Sequence, residues 1–206
     1  MYCNKQSGLL IASAKGMYRR AAIFSGNNNY SGIESALEGS SVINWGDGSI
    51  TLHGLPLGFY EYLDGVSPSI GKRLLPCEDI FDCYWMSAKA AKALKIECPD
   101  DMYFSKLEDI HADIVNSTWF YRSNNPPDMV NDMIKHMETL GLFRKEDSKL
   151  VSWVFNAIYG VGMLYTVEEH RKKGYGTLVL RKLANHLGHL GINPTLVTLK
   201  SNVAAK

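Results

Sequence analysis

Apolar side chains recur along the second half of the chain with two different spacings. In some segments they occupy every second position, the period of a half-buried strand. In others they stand three or four positions apart, the period of an amphipathic helix. The alternation predicts strands at residues 150–157 and 161–167, and two further strands are predicted at residues 102–107 and 195–199. The predicted helices are residues 108–121, 128–140 and 176–190. The order of these elements predicts a mixed α/β domain.

The first hundred residues have a less regular pattern and are richer in Gly, Ser and Asn. The pair Asp47-Gly48 predicts a hairpin between two short strands, because glycine reaches positive φ at low cost. Residues 59–63 are predicted to form another strand. Ser87 is predicted to cap a short helix of Ala and Lys that ends near Leu94.

The run Cys98-Pro99-Asp100-Asp101 interrupts the pattern and predicts a domain boundary. The expected organisation is therefore a smaller, divergent α+β N-terminal domain, residues 1–100, followed by the mixed α/β domain, residues 101–206.

Composition excludes several classes of protein. The chain has 46% hydrophobic residues, 21% charged residues and a net charge of +1, a globular mix that gives no overall basic surface for nucleic acid. No apolar run approaches the roughly 18 residues that span a bilayer. The four cysteines lack the spacing of a zinc site, so we expect no metal and reduced thiols in an intracellular protein. Lys5, Lys15, Arg19 and Arg20 precede the first acidic residue, Glu34, which leaves a mitochondrial presequence open beside a cytoplasmic location.

The candidate chemistry lies in the turn between the strand 161–167 and the helix 176–190. Arg171, Lys172 and Lys173 stand there before Gly174, Tyr175 and Gly176. The first N–H groups of a helix have no internal partner and lie at the positive end of the helix dipole, so they favour an anion. Glycines let a phosphate approach those groups. The alternative is an ordinary surface turn with solvated charges.

Arg171, Gly174 and Gly176 resemble the Arg/Gln-x-x-Gly-x-Gly/Ala turn of the GNAT superfamily of acyl-CoA N-acyltransferases, which binds the CoA pyrophosphate in that family. The order of elements from Met102 to Leu199 also fits. The resemblance implies a GNAT-like mixed sheet flanked by helices, with acyl-CoA as co-substrate. The residues it assigns to CoA are Thr166, Val167, Arg171, Lys172, Lys173, Gly174, Tyr175, Gly176, Thr177 and Asn202.

Three further segments resemble the glycine N-acyltransferase-like proteins. Val115-Asn116-Ser117-Thr118-Trp119 is similar to their Val-Asn-x-x-Trp helix, Val151-Ser152-Trp153 to their Val-x-Trp strand, and Met163 to Arg171 to their Met-x-x-Thr strand and Glu-Tyr-Arg run. The resemblance implies that an amine, with glycine the leading acceptor, attacks a thioester whose carbonyl is polarised by a backbone N–H near Thr166 or Val167.

Two departures from that group leave the activity open. Its catalytic glutamate falls at Gly160, so no catalytic residue is assigned, and Tyr159 beside it is a poor base at neutral pH. Glu168, Glu169 and His170 are expected to be solvated. The sequence also ends at Lys206, before the last helix and strands of the superfamily, which predicts an open sheet edge at 195–199. A non-catalytic CoA-binding pseudoenzyme and a protein acetyltransferase are therefore the alternatives to a small-amine acyltransferase.

Overall fold

The computed structural model divides the chain into two compact units, Met1–Glu78 and Asp79–Lys206. The residues that the structure describes are 2–4, 9–13, 20–25, 29–39, 43, 45, 50–53, 55, 57–75, 80–120, 122–124, 128–157 and 159–202.

The first unit contains a small sheet and two helices. Its elements are β1 (Tyr2–Asn4), β2 (Leu9–Ser13), β3 (Arg20–Ser25), α1 (Ile33–Gly39), β4 (Thr51–His53) and α2 (Leu57–Val66). The strands lie in the order β1-β2-β3-β4, with β3 and β4 parallel. Its core includes Ile11, Ile23, Ile33, Phe59 and Leu63.

Two predictions for this unit have different outcomes. The strand expected at residues 59–63 is wrong, because the segment lies within α2. Phe59 and Leu63, four positions apart, are both buried, which places them on one face of a helix. The Asp47-Gly48 pair of the predicted hairpin lies outside the described residues.

The second unit is built around a mixed sheet. Its elements are β5 (Phe81–Trp85), α3 (Ala88–Lys92), β6 (Met102–Ser105), α4 (Ala112–Thr118), α5 (Met129–His136), β7 (Glu138–Arg144), β8 (Leu150–Ala157), β9 (Gly160–Thr166), α6 (Tyr175–His189) and β10 (Thr195–Leu199). The described strands lie in the order β5-β10-β9-β8-β7-β6. Neighbours are antiparallel except for β9 and β10, which are parallel. The predicted fold class, a mixed α/β fold with helices flanking a mixed sheet, is confirmed.

Several elements follow the hydrophobic pattern closely. Strands β8 and β10 have the predicted bounds, and β8 and β9 pair antiparallel. Helix α6 packs an apolar face on the sheet and buries Val179, Leu183 and Leu187. The Ser87 hydroxyl accepts a hydrogen bond from the N–H of Ala90 (3.2 Å), as expected of a helix N-cap.

The helix predicted over residues 128–140 is too long. Helix α5 ends at His136, and residues 138–144 form β7, which pairs with both β6 and β8. The predicted helix end, Gly141, lies inside this strand. A Cβ at Gly141 would approach the Phe143 ring to 2.6 Å, so the position accepts no larger residue without a shift of its neighbours.

The predicted open edge at β10 is wrong, because strand β5 covers it. The two strands pair antiparallel from Phe81–Leu199 to Trp85–Thr195. The N–H of Lys200 donates to the carbonyl of Ile80 (2.8 Å), which extends the pairing. Residues 80–100 thus contribute to the second unit, and the chain divides between 78 and 79 rather than near Cys98.

Helix α3 packs on α6 and is a second contact that attaches residues 80–100 to the rest of the second unit. The Asn185 side-chain amide donates to the carbonyl of Lys92 (2.9 Å). Gly188 lets the two backbones approach, because a Cβ there would lie 2.5 Å from the Lys92 nitrogen. A segment upstream of the expected boundary is therefore fixed to the second unit by a strand and by a helix.

Candidate functional site at the carboxyl end of strand β9

Strands β9 and β10 separate along their length. They are parallel, yet they pair at a single register position, Val161 with Leu196, close to the start of each strand. The two strands have no further paired position toward their carboxyl ends, which indicates that they diverge there. In α/β sheets, ligands bind at the carboxyl ends of parallel strands where neighbouring strands diverge.

A bulge in β9 accounts for this divergence. Between the pairs Trp153–Tyr165 and Phe155–Gly162, β8 contributes one residue, while β9 contributes both Met163 and Leu164. Met163 has a φ of 51°, in the left-handed region. An extra residue of this kind bends a strand and increases its twist, so the second half of β9 does not continue the direction of its first half.

Backbone hydrogen bonding at the end of β9 leaves the N–H of Thr166 directed into the gap. The N–H of Val167 donates to the carbonyl of Val151 (2.9 Å). Hydrogen-bonded and non-hydrogen-bonded pairs alternate along an antiparallel ladder. The next pair, Ser152 with Thr166, is therefore of the second kind, and the N–H and carbonyl of Thr166 point away from β8. The N–H of Val167 is already used.

The basic glycine turn connects β9 with the start of α6. Its residues Lys172 and Gly174 have φ of 61° and 80°, and Gly174 is the N-cap of α6 with no side chain capping it. A Cβ at Gly174 would meet no atom within 4 Å, so the space in front of the helix is open. The first amides of α6, at Tyr175, Gly176 and Thr177, thus face an accessible end with the helix dipole behind them.

Arg171 is held at this end by two hydrogen bonds. Its Nε donates to the carbonyl of Thr166 (3.1 Å) and its Nη2 to the hydroxyl of Tyr165 (3.1 Å). The guanidinium also lies 5.2 Å from the centroid of the Tyr165 ring, which stacks on the buried Trp153. The exposed Glu168 carboxylate is 4.0 Å from Nη1. The charge of Arg171 is therefore positioned by the sheet beside the α6 N-terminus.

Behind the turn, a buried hydroxyl supports the last residue of β9. Ser152 is fully buried, and its Oγ donates to the carbonyl of Tyr165 (2.8 Å) and lies 2.9 Å from Oγ1 of Thr166. On its other side, Oγ1 of Thr166 would be 3.2 Å from a Cβ at Gly176. Thr166 thus fills the space between β8 and the first turn of α6.

The other sequence-predicted residues are distributed around this end. Lys172, Lys173 and Thr177 are exposed, and Tyr175 is partly buried against the core. Asn202 is exposed after β10, where its N–H donates to the carbonyl of Leu199 (2.9 Å). The structure brings together Thr166, Arg171 and the residues from 174 to 177 around the start of α6.

Gly160, the position that the resemblance assigns to a catalytic glutamate, has a role in packing. Its φ is 115°, and a Cβ there would lie 2.6 Å from the carbonyl oxygen of Thr195. The absence of a side chain lets β9 and β10 meet at their start. A carboxylate at residue 160 is incompatible with this backbone.

No other group in the neighbourhood is placed as a clear base. Glu168 and Glu169 are exposed in a short 3-10 helix, with Glu168 87% exposed. His170 follows them, and its Nδ1 is buried without a hydrogen-bond partner among the described residues. The Tyr159 ring packs near Gly162. None of these is held against the Thr166 amide by a contact that the structure describes.

Sequence analysis did not identify Ser152 or Tyr165 as part of the site. The alternation along β8 placed Ser152 with the polar positions, although it is buried among apolar residues. The sequence signal that could have identified Ser152 is its position as a single polar residue inside the apolar run Val151-Ser152-Trp153-Val154-Phe155. Its meaning depends on the pairing of Ser152 with Thr166, which the local pattern does not contain.

Two other kinds of feature are absent from the described part of the chain. No group of three or more His, Cys, Asp or Glu side chains there could hold a metal ion. His186 on α6 lies 3.3 Å from the Glu138 carboxylate. None of the described helices combines the length and the apolar character that crossing a membrane requires.

Comparison with known proteins agrees with this geometry. Residues 139–206, which include β8, β9, the glycine turn and α6, match the family model of FR47-like proteins. The match covers about a third of the chain. It does not extend to the glycine N-acyltransferase-like group, and no curated protein sequence matched the chain.

Solved structures resemble the chain at low sequence identity. A Drosophila protein, solved as a structural-genomics target, aligns with a TM-score of 0.77 and 19% identity over 98% of this chain and 68% of its own, which shows a shared fold. A Novosphingobium aromaticivorans protein assigned to the GNAT family aligns with a TM-score of 0.48 and 14% identity, over 95% of this chain and 78% of its own. A tandem GNAT protein from the clavulanic acid pathway aligns with a TM-score of 0.44 and 12% identity, over 91% and 68%.

Proposed function

We propose that the chain binds acyl-CoA between the carboxyl ends of β9 and β10 and transfers the acyl group to the amine of a small acceptor. The observation that carries this proposal is the single pairing of Val161 with Leu196. Beyond it, a gap between parallel strands leads directly to the glycine turn at the start of α6. An extended thioester with an anionic head matches a slot whose far end attracts anions.

The diphosphate belongs at the start of α6. The free amides of Tyr175, Gly176 and Thr177 donate to it, and Arg171, Lys172 and Lys173 supply positive charge. Charge-assisted hydrogen bonds of this kind are roughly twice as strong as neutral ones. Asn202 and Val167 are assigned to the same ligand by the resemblance alone.

The thioester belongs beside Thr166. Its backbone N–H, directed into the gap, is the donor that polarises the thioester carbonyl, since the N–H of Val167 already donates to Val151. The acceptor amine then attacks the carbonyl carbon, a C–N bond forms and the C–S bond breaks. CoA leaves as the thiol and the amine loses a proton. Holding both reactants in line is the main contribution of such a site, and glycine is the acceptor that the resemblance favours.

A non-catalytic CoA-binding protein is the second candidate. The observation that favours it is Gly160, whose backbone admits no carboxylate, so the base that the resemblance implies has no equivalent at that position. Binding of CoA depends on the turn and on β9, and neither requires that base. The two candidates therefore share a ligand and differ in turnover.

The decisive experiment incubates the purified chain with acetyl-CoA or benzoyl-CoA and glycine and follows N-acylglycine and free CoA by mass spectrometry. The acyltransferase proposal predicts product from the wild type and its loss in a Lys172→Glu, Lys173→Glu double variant. Lys89→Glu is the matched control. This variant also replaces a lysine by a glutamate, but on α3. Helix α3 packs against α6 near Gly188, and Gly188 lies about 20 Å along α6 from the glycine turn.

The outcomes separate the candidates. CoA binding without acylglycine would overturn the glycine acyltransferase proposal in favour of the non-catalytic binder. Neither binding nor product from a folded wild type would overturn both. Equal product from the wild type and the double variant would show that the lysines do not hold the diphosphate.

A further inference from the structure

The Ser152 and Thr166 hydroxyls form a short chain whose hydrogens can be assigned. Ser152 has one hydroxyl hydrogen, and its Oγ lies 2.8 Å from the carbonyl oxygen of Tyr165. A carbonyl oxygen only accepts, so the hydrogen of Ser152 lies on that bond. If it were turned elsewhere, two acceptor oxygens would face each other at 2.8 Å in a buried position.

The hydrogen of Thr166 is thereby fixed as well. Oγ of Ser152 and Oγ1 of Thr166 are 2.9 Å apart, and either could donate by distance alone. Because Ser152 has already used its hydrogen, Thr166 must be the donor. Oγ1 of Thr166 then presents only lone pairs to the rest of its surroundings.

Those surroundings include the start of α6, and the backbone N–H of the same residue points away from β8. Thr166 is the last residue of β9, and its Oγ1 would be 3.2 Å from a Cβ at Gly176. An oxygen that can only accept is a poor neighbour for a phosphate, whose oxygens at neutral pH are acceptors too. It is complementary to an N–H group.

We infer that Ser152 holds the Thr166 hydroxyl as a pure acceptor, and that this hydroxyl takes an amide N–H of the pantetheine arm rather than a phosphate oxygen. This inference rests on the proposed function, because it places CoA in the gap. Ser152 is a positioning residue, since it acts only through Thr166. The pair marks where the diphosphate ends and the amide-bearing arm begins.

The test compares two probes by calorimetry: CoA, which has the arm, and ADP, which has a diphosphate without it. The quantity of interest is the ratio of the dissociation constant of CoA to that of ADP. Thr166→Val keeps the shape and removes the acceptor, and it should raise this ratio roughly three- to tenfold, the value of one hydrogen bond. Thr166→Ser keeps the oxygen and should leave the ratio near that of the wild type.

Ser152→Ala tests the positioning role. It leaves the Thr166 oxygen in place and frees its hydrogen to turn toward the ligand, so the same ratio should rise, by about twofold or more. Thr51→Val, at an exposed position of β4, is the matched control and should change neither constant. Thermal unfolding of each variant establishes that the fold is kept.

The possible outcomes distinguish this inference from the function it rests on. A ratio that Thr166→Val leaves unchanged, or equal weakening of CoA and ADP, overturns the inference while the CoA site remains. If the Thr166 hydroxyl accepts a hydrogen bond from the acceptor amine instead, Thr166→Val would also leave the ratio of the two dissociation constants unchanged. Failure of the wild type to bind either probe removes the proposed function, and the inference with it.

Discussion

The carbonyl oxygen of Thr195 occupies the place where a side chain at Gly160 would begin, 2.6 Å from the position of a Cβ. This contact joins the starts of the two parallel strands, and the gap that we assign to acyl-CoA opens beyond it. The glycine at residue 160, where the resemblance predicts a glutamate, is thus also a condition for the proposed site.

Gly160→Ala is expected to destabilise the second unit more than a change at another glycine with positive φ. Gly191 also has positive φ, 76°, but a Cβ there would meet nothing within 4 Å. Strain alone should cost about 1 to 2 kcal/mol in Gly191→Ala, and the contact with Thr195 should bring Gly160→Ala to about 2 to 4 kcal/mol. Urea unfolding measures both, and equal costs would contradict the packing role of Gly160.

The pairing of β5 with β10 predicts where the chain can be divided. A fragment of residues 79–206 keeps β5 and α3, whereas one of residues 101–206 exposes the edge of β10 and the surface of α6 around Gly188. The longer fragment should be the more stable and the less prone to associate, because unpaired strand edges promote aggregation. Unfolding curves and light scattering of both fragments test this, and equal behaviour would show that β5 is dispensable.

Arg171 is expected to matter through its geometry as well as its charge. Arg171→Lys retains the charge but cannot reproduce the planar fork that reaches both Thr166 and Tyr165. Calorimetry should show CoA binding weakened roughly three- to tenfold. Tyr165→Phe, which removes only the hydroxyl, should cause a smaller loss in the same direction. Unchanged affinity in Arg171→Lys would mean that the guanidinium does not serve the ligand.

One pH effect arises away from the site, in the hairpin between β7 and β8. The Arg144 guanidinium hydrogen-bonds the Asp147 carboxylate and holds its pKa well below the ordinary value. A depressed folded-state pKa stabilises the fold above the unfolded-state pKa of about 4, and this contribution is lost as the pH falls further. The stability difference between wild type and Asp147→Asn should therefore be largest near neutral pH and shrink below about pH 4. A difference that is constant with pH would contradict this assignment.

The elements that the sequence predicted well are those whose local pattern and tertiary surroundings agree. Strands β8 and β10 are short segments rich in β-branched and other apolar residues, and α6 has a long apolar face that the core accepts. Strand β7 was missed because Met133, Met137 and Leu140 continue a helical spacing past the true end of α5. Residues 138–144 form a strand because they pair with β6 and β8, and the local sequence does not contain that information.

The pairing of β5 with β10 could not be predicted for a related reason. Phe81 and Leu199 are far apart in sequence, and nothing in either segment specifies the other. The glycine turn was visible because its chemistry is local, with three basic residues and two glycines at the start of a helix. Ser152 was not, because its role depends on the register that places it opposite Thr166.

Titration with acetyl-CoA tests the central claim most directly. The wild-type chain, the Lys172→Glu, Lys173→Glu double variant and the Lys89→Glu control are titrated at two salt concentrations. The account predicts saturable binding by the wild type and the control, loss of binding in the double variant, and weaker binding at high salt because the diphosphate contacts are partly exposed. A folded wild type that does not bind acetyl-CoA would contradict a CoA site at the carboxyl end of β9, and a double variant that binds it as tightly would show that the two lysines do not hold the diphosphate.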